Sequence, residues 1–292
     1  MDDLTQLQAR LRKAGYIADK PLAAALSLVT QLKRPLLIEG EAGVGKTEVA
    51  KALAGAFQRP LIRLQCYEGL DVNSAVYEWN YQRQLLAIKI EESTHHSTQE
   101  MERHIFGPEF LLKRPLLAAI TEAEPPVLLI DEVDRADEEF EAYLLEVLSE
   151  FQISIPELGT IKATSIPYVV LTSNATRELS DALRRRCLYH YLDYPGFDKE
   201  LAIVQARLPE AGPQLARQVV SFVQSLRRLD LRKKPGIAES LDWVAALLRL
   251  DVDDLEKGPE AIMESLSCLI KTREDRAVVT REVVERLVAS AR

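Results

Sequence analysis

The sequence lacks any long hydrophobic run. Its longest apolar stretch with a single polar interruption is Pro21–Val29, far short of the ~20 residues that cross a membrane. The beginning, Met1-Asp2-Asp3, has no basic segment ahead of an apolar one, so no secretory signal is expected. These absences predict a protein with no membrane span and a cytoplasmic location.

Cysteine is scarce, and positive charge does not prevail. The three cysteines, Cys66, Cys187 and Cys268, are far apart and form no CxxC pair, which argues against a disulfide scaffold and against a zinc knuckle. The 45 Asp and Glu residues outnumber the 37 Lys and Arg residues and leave a net charge of −8. This balance makes nucleic acid an unlikely main partner.

The sequence does have the composition and the alternation of a globular α/β protein. Its 292 residues are 47% hydrophobic and 28% charged, which suffices for a full core and excludes disorder over most of the chain. Short apolar runs alternate with amphipathic segments through the first two-thirds, as is typical of a mainly parallel sheet. The predicted strands are Leu36–Glu39, Leu61–Cys66, Val127–Asp131, Tyr168–Ser173 and Cys187–Leu192.

The character of the chain changes after Tyr194-Pro195-Gly196. Beyond it we find only helical periodicity, which prolines and glycines divide into about five predicted helices. We therefore predict an α/β core over residues 1–195 and an all-helical subdomain over residues 196–292. Within the core, the polar segment 91–103 is predicted as a loop or helix tip with solvent-exposed histidines at 95 and 96. Residues 151–167 are predicted as a β-hairpin.

A phosphate-binding loop follows the first predicted strand. Residues 40–47 match GxxxxGK[ST] at every fixed position, with the strand before and the helix after that the motif requires. Glycines let the backbone N–H groups point at phosphate oxygens, and the helix adds the positive end of its dipole. We expect Lys46 to neutralise the β- and γ-phosphates and Thr47 to ligate Mg²⁺. The loop reads Gly40, Glu41, Ala42, Gly43, Val44, Gly45, Lys46, Thr47.

Two acids, Asp131 and Glu132, close a predicted buried strand. In open α/β sheets, ligands bind at the carboxyl ends of the strands. We predict that Asp131 holds Mg²⁺ through water and that Glu132 acts as general base on the attacking water. The second acid favours a hydrolytic motor over a nucleotide switch or a kinase. Asn174 ends the next predicted strand and is a candidate for the γ-phosphate or the attacking water.

Three consecutive arginines, Arg184, Arg185 and Arg186, stand directly before the last predicted strand. They are either solvated surface or the source of an arginine finger, because a planar guanidinium suits the charge of a phosphoryl-transfer transition state. From the rim of a domain, such a finger would reach the ATP of a neighbouring subunit.

Together these motifs resemble the AAA+ ATPases, and specifically the MoxR family of the helix-2-insert clade, closest to its CoxD-like branch. The resemblance to the branch depends on residues 64–69 and 77–82. The resemblance makes Asn174 the sensor-1 residue, residues 69–120 the helix-2 insertion and residues 151–167 the presensor-1 hairpin. It also implies that Tyr16 and Ile17 pack on adenine and that Glu48 joins the nucleotide site.

The resemblance implies a five-stranded parallel sheet in an α/β/α sandwich with a C-terminal helical lid. It implies ATP and Mg²⁺ as cofactors and a hexameric ring with ATP between subunits. The implied role is a chaperone-like remodeller of a protein client such as a metalloenzyme. For the CoxD-like branch, the implied task is maturation of the metal centre of carbon monoxide dehydrogenase. The implied partner is a von Willebrand A-domain protein.

Two alternatives are weighed against this role. A nucleic-acid-translocating motor of the same clade is disfavoured by the net charge of −8 and by the lack of a basic stripe. A binding module without hydrolysis is disfavoured by the complete set Lys46, Asp131, Glu132 and Asn174.

The sequence departs from the family where a sensor-2 arginine is expected. Glu239 stands there, and Arg232, Lys233 and Lys234 just before it are candidates to replace the arginine. For the finger, the family's D-R-F pattern favours Arg186, with Arg185 second. The aromatic residues Tyr77, Trp79 and Tyr81 either bind a client or pin the insertion to the core.

Overall fold

The computed structural model describes residues 3–91 and 98–291. His95 and His96 lie outside the described residues. The strands are β1 (Leu36–Glu39), β2 (Leu61–Gln65), β3 (Tyr77–Trp79), β4 (Leu111–Lys113), β5 (Val127–Asp131), β6 (Gln152–Ile155), β7 (Gly159–Lys162), β8 (Tyr168–Ser173) and β9 (Leu188–Tyr191). The α-helices are α1 (Asp3–Lys13), α2 (Lys20–Leu32), α3 (Lys46–Phe57), α4 (Val72–Ala75), α5 (Tyr81–Glu91), α6 (Thr98–Ile105), α7 (Pro115–Thr121), α8 (Glu138–Glu150), α9 (Asp181–Arg186), α10 (Phe197–Arg207), α11 (Gly212–Leu226), α12 (Ile237–Arg249), α13 (Pro259–Ser265), α14 (Arg273–Val278) and α15 (Arg281–Ala289).

The chain divides into two compact units. The first unit comprises Met1–Leu7, Lys20–Glu39 and Ala50–Tyr191, and the second comprises Gln8–Asp19, Gly40–Val49 and Leu192–Arg292. The second unit therefore contains the C-terminal helices together with two earlier segments, one of which carries the phosphate loop. The acids that end β5 belong to the first unit.

The first unit is built on a five-stranded parallel sheet with the order β2-β5-β8-β1-β9. All five predicted strands are present, and the predicted α/β fold is confirmed. Every residue of β5 is buried, as expected of a central parallel strand that is covered on both faces. Helices flank the sheet; α2 contacts β1, β8 and β9, and α7 contacts β2 and β5.

The predicted insertion carries a small antiparallel sheet of β3 and β4. Trp79 is buried in the core of the first unit and meets Phe106 edge-on, with ring centroids 5.2 Å apart. Tyr77 meets Trp79 edge-on in turn, so these two aromatics pin the insertion to the core, whereas Tyr81 is exposed. Part of the segment 91–103, predicted as a loop or helix tip, is helical, because α6 contains good helix formers such as Gln, Glu, Met and Arg.

The predicted hairpin is present as β6 and β7, which pair antiparallel around a tight turn. Its residues Ile153 and Ile155 are buried in the core of the first unit. The alternate residues Ser154 and Thr160 face outward and share a hydrogen bond of 3.2 Å. This alternation is what a strand with one buried face requires.

The second unit has its own hydrophobic core around Trp243, which is fully buried. The indole packs on Phe222 with centroids 4.7 Å apart and donates a hydrogen bond to the Ser265 hydroxyl at 2.8 Å. Six α-helices lie between residues 197 and 289, against about five predicted, because Thr272 and Thr280 each cap a separate short helix. Across the described part of the chain, no helix is long and apolar enough to span a membrane.

Candidate nucleotide site

The phosphate loop, residues 40–47, takes its shape from positions without side chains. Gly43 and Gly45 adopt φ values of +82° and +94°, in the left-handed region that favours glycine. A Cβ atom on Gly40 would clash with the carbonyl oxygen of Leu192. Helix α3 begins at Lys46, so the positive end of its dipole lies at the loop.

Lys46 is buried against the loop itself. The residue is only 7% exposed, and its Nζ donates to the carbonyl oxygens of Gly40 at 2.7 Å and of Glu41 at 2.8 Å. These backbone oxygens hold the ammonium at the loop, where phosphate oxygens are the stronger acceptors for a cation. The loop therefore has the positive charge and the backbone geometry of an anion site.

The start of α12 contacts the phosphate loop within the second unit. A Cβ atom on Gly236 would lie 2.5 Å from the carbonyl oxygen of Gly43, and the amide of Ile237 donates to that oxygen at 3.0 Å. The carboxylate of Glu239 accepts a hydrogen bond from the amide of Gly236 at 3.1 Å, as in a capping box. Glu239 thus caps its own helix at the position where an arginine was expected, and Arg232 pairs with Glu274 at 3.2 Å.

Tyr16 and Glu48, both predicted at the nucleotide site, lie near each other in the second unit. Burial, with added negative charge from Asp19 and Glu48, raises the pKa of the Tyr16 hydroxyl. Glu48 pairs with Arg207 of α10 at 3.2 Å. No sequence signal pointed to Arg207, because it belongs to a helix far along the chain. Ile17, beside Tyr16, is partly buried.

The acidic edge, meaning Asp131 and Glu132 at the end of β5, lies in the first unit. Asp131 is 3% exposed, and its Oδ1 accepts a hydrogen bond from the Thr172 hydroxyl at 2.5 Å. Its Oδ2 accepts from Arg63 Nη2 at 2.6 Å and from Nε at 3.1 Å. The Thr172 hydroxyl also accepts from the amide of Glu132 at 2.9 Å. The carboxylate predicted for Mg²⁺ is therefore fixed in place and already attracts a cation.

Glu132 is held in a left-handed backbone conformation, with φ of 55°. Such a conformation costs a residue with a side chain about 1–2 kcal/mol. The carboxylate pairs with Arg135 Nε at 2.9 Å and accepts from Gln65 Nε2 at 3.2 Å. Local strain that neighbours enforce in this way is common at functional sites.

Asp134 fixes the loop that carries Asn174. Its buried carboxylate accepts hydrogen bonds from the amides of Asn174 at 3.2 Å and Thr176 at 3.0 Å, and from the Thr176 hydroxyl at 2.6 Å. Burial opposes ionisation, but these hydrogen bonds outweigh it and lower the pKa of Asp134. Ala175, between the two bonded residues, has φ of 55°. The only sequence signal for this role was a third acid three residues after Asp131.

The three arginines differ in their surroundings. Arg184 pairs with Glu39 at 3.4 Å and lies over the ring of Tyr189. The Arg185 side chain is 84% exposed, and Arg186 is exposed and donates to the Ser149 hydroxyl. Of the three, Arg185 and Arg186 are exposed, and the Arg186 guanidinium also donates to the Ala182 carbonyl at 3.3 Å.

The acidic edge has a buried cysteine beside it, Cys66, whose amide donates to the Asp131 carbonyl at 2.9 Å. Burial, together with the charges of Asp131, Asp134 and Glu132, raises the pKa of the Cys66 thiol to about 12. Within the ranges 3–91 and 98–291, no group of three or more His, Cys, Asp or Glu side chains is arranged to hold a metal ion. A Mg²⁺ ion carried by a nucleotide needs no such group, since it is bound by one or two protein oxygens and by phosphates.

Residues 35–187 match the family model described as the AAA domain of the dynein-related subfamily. This match covers more than half of the chain. The chain belongs to the AAA domain family. It is therefore an AAA+ ATPase, and the matched segment contains the phosphate loop, the acidic edge, Asn174 and Arg186.

The chain is also similar to bacterial relatives in sequence and to solved structures in fold. An uncharacterized protein of Staphylococcus epidermidis is 27% identical over 231 residues, which are 77% of this chain and 79% of the relative. One of Staphylococcus haemolyticus is 26% identical over 250 residues, with 83% and 86% covered. A mutant of Thermotoga maritima RuvB has a TM-score of 0.52 at 14% identity, over 94% of this chain and 72% of RuvB. At that identity the likeness shows the fold alone.

Proposed function

We propose that this AAA+ ATPase is of the MoxR type and hydrolyses Mg-ATP to remodel a protein client. The observation that carries the hydrolytic part is the acidic edge, where a buried Asp131 is followed at once by a partly exposed Glu132 on a strained backbone. A switch protein needs only the first acid, whereas a hydrolytic motor also needs a group that activates water.

The residues present fit Mg-ATP. Thr47 and Asp131 offer the hard oxygen ligands that Mg²⁺ prefers, and the guanidinium on Asp131 marks a position that favours positive charge. Bound Mg²⁺ supplies charge neutralisation at the phosphates. In this proposal Lys46 exchanges its carbonyl partners for phosphate oxygens, Glu132 accepts the proton of the attacking water, and Asn174 orients that water. Tyr16, Ile17 and Glu48 contact the adenosine part.

The remodelling part is supported by the insertion. Helix α5 is anchored through buried Gln84, whose amide donates to the Ile105 carbonyl at 2.7 Å, yet it exposes Tyr81, Leu85 and Leu86 by 59–63%. Exposed apolar side chains on an anchored helix are typical of a protein-binding surface. The net charge of −8 agrees with a protein client better than with nucleic acid.

The finer parts of the proposal come from the resemblance to MoxR proteins of the CoxD-like branch. They are a hexameric ring in the cytoplasm, a von Willebrand A-domain partner, and a metalloenzyme client with a metal centre of the carbon monoxide dehydrogenase type. No observation favours a nucleic-acid motor, because the likeness to RuvB is one of fold.

The test begins with phosphate release from ATP by the wild-type protein and by Lys46→Ala. We expect Mg²⁺-dependent release by the wild type and none by the variant, because the loop then lacks its cation. Client capture follows, with Glu132→Gln as a trap that retains ATP. The matched control is the same trap with Leu85→Ser and Leu86→Ser added. Capture of a metalloenzyme subunit or an A-domain protein by the trap alone supports the proposal. ATPase activity that rises with added DNA or RNA would contradict it.

A further inference from the structure

The second unit buries a complete ion pair between Arg227 and Glu200. Their side chains are 6% and 0% exposed, and the guanidinium is bidentate, with Nη1–Oε2 at 2.6 Å and Nη2–Oε1 at 2.7 Å. Gln224 and Ser240 donate to the same carboxylate at 2.7 and 2.9 Å. A buried ion pair is often no more stabilising than an apolar pair of the same size. Its presence therefore calls for a reason beyond stability.

Arg227 is linked to the phosphate loop by a first chain of contacts, which passes through the start of α12. Arg227 Nε donates to the carbonyl oxygen of Pro235 at 2.7 Å. The next two residues are Gly236, which has no room for a side chain against Gly43, and Ile237, whose amide donates to the Gly43 carbonyl. Arg227 therefore holds the segment that makes this backbone contact.

A second chain of contacts links Arg227 to the loop through Tyr194. The guanidinium lies over the tyrosine ring, 4.8 Å from its centroid, in a cation–π contact. The Tyr194 hydroxyl donates to the Ala42 carbonyl at 3.4 Å. Two residues earlier, the Leu192 carbonyl oxygen lies so close to Gly40 that a Cβ atom there would clash with it. Two segments that are far apart in the sequence thus reach adjacent carbonyls of the loop, and Arg227 joins them.

These contacts determine the orientation of the N–H groups in the loop. In a trans peptide, the carbonyl of one residue and the N–H of the next point in opposite directions. Donors that hold the carbonyls of Ala42 and Gly43 on one side therefore turn the N–H groups of Gly43 and Val44 to the other side. Such successive N–H groups form the concave anion site of a phosphate loop.

We infer that Arg227 is a positioning residue for the phosphate loop, which orients the Gly43 and Val44 amides toward phosphate through Pro235–Ile237 and Tyr194. This inference rests on the proposed role of residues 40–47 as the ATP site.

The test is the dissociation constant of a fluorescent ATP analogue for the intact protein and for Arg227→Lys. Lysine keeps the charge that Glu200 requires but lacks the flat, forked donor that serves Pro235 and Tyr194 at once. We expect binding to weaken by about tenfold or more, within the range that small misplacements cause. Turnover at saturating ATP should change far less, and hydrogen exchange at the Ile237 amide should accelerate.

Two further variants keep the result interpretable. Tyr194→Phe removes only the hydroxyl that reaches Ala42 and should weaken binding less than Arg227→Lys. Combining the two should cost less than the sum of the single losses, because both act on one network. Ser265→Ala is the matched control, since it removes a buried hydrogen bond of the same core at Trp243, six residues along α12 from the Ile237 amide that contacts the loop. It should lower the melting temperature and leave ATP binding unchanged.

The outcomes separate this inference from the proposed function. A folded Arg227→Lys protein and a Tyr194→Phe protein that both bind the analogue like the wild type would overturn the inference, while loss of binding in Lys46→Ala would still support the ATP site. Equal weakening by Ser265→Ala would also overturn it, because any damage to the lid core would then suffice. A wild-type protein that binds no ATP would overturn both.

Discussion

The phosphate loop and the acidic edge are built in opposite ways. The loop is shaped by backbone contacts at glycines such as Gly40, where a side chain would clash, and the partners described above belong to its own unit. The acidic edge is shaped by side chains that hydrogen-bond one another, such as Thr172 with Asp131. In the function proposed above, residues of the loop bind the nucleotide, and residues of the acidic edge perform the chemistry. Changes in the first unit should then slow turnover without loosening ATP binding.

The largest effect is expected from Arg186→Ala. If Arg186 is the finger that acts on a neighbouring subunit, turnover should fall by about 10³-fold or more, while the affinity for ATP is retained. The measurement is phosphate release by the variant alone and mixed with Glu132→Gln subunits. Mixing should restore activity, because each variant supplies the group that the other lacks.

Arg185→Ala is the matched control for that experiment, since its side chain is the neighbouring exposed guanidinium. It should retain most of the activity. Failure of the mixed proteins to recover would mean that Arg186 acts within its own subunit, where it already contacts Ser149.

The next largest effect is expected from Glu132→Gln. Loss of a general base should slow hydrolysis by at least about 100-fold, and the analogue should still bind, because the grip lies in the loop. Rapid-quench turnover and equilibrium binding measured on the same sample test both halves. Glu138→Gln, at an exposed acid on α8, is the control. Near-normal turnover of Glu132→Gln would show that Glu132 is not the general base.

A smaller effect, on stability, is expected from Asp134→Asn. Hydrogen bonds from Thr176 and Asn174 lower the pKa of Asp134 in the folded state. Its ionised form therefore stabilises the fold above the unfolded pKa of about 3.9. The variant should lose about 1–3 kcal/mol of unfolding free energy at neutral pH. The gap should close as the pH falls through the folded pKa, as urea titrations at several pH values would reveal. A gap that is independent of pH would show that the charge is irrelevant.

The smallest effect is expected at Cys66. With a thiol pKa of about 12, Cys66 stays protonated at neutral pH and should react slowly with iodoacetamide. Cys268, which is only partly buried, should be alkylated first, as mass spectrometry of the native protein will report. Cys66→Ala should leave turnover unchanged. Fast labelling of Cys66 would show instead that a reactive thiol lies beside the acids.

The strands and the loop could be predicted because their signals are local. β5 is a run of apolar residues closed by acids, and its predicted bounds agree with the structure. The predicted strand at 61–66 is one residue longer than β2, because Cys66 is buried like a strand residue and still donates to the Asp131 carbonyl at 2.9 Å. The phosphate loop could be predicted because each of its glycines stands where a side chain would either clash or strain the backbone.

The supports of the site could not be predicted, because each joins positions far apart in the chain. Thr172 reaches Asp131 only because β8 lies beside β5, and Arg63 reaches it only because β2 lies on the other side. Sequence patterns indicate strands but do not order them in the sheet. Arg227 is a stronger case, since one of two adjacent arginines, Arg227 and Arg228, in a helical stretch is normally a solvated residue.

The separate cores have a practical consequence. The chain has two tryptophans; Trp79 lies in the core of the first unit and Trp243 in the core of the second. Intrinsic fluorescence therefore offers one emitter for each unit. Replacing either indole with phenylalanine leaves a single reporter, so that denaturant titrations of the two variants will reveal whether the cores melt in one transition or in succession.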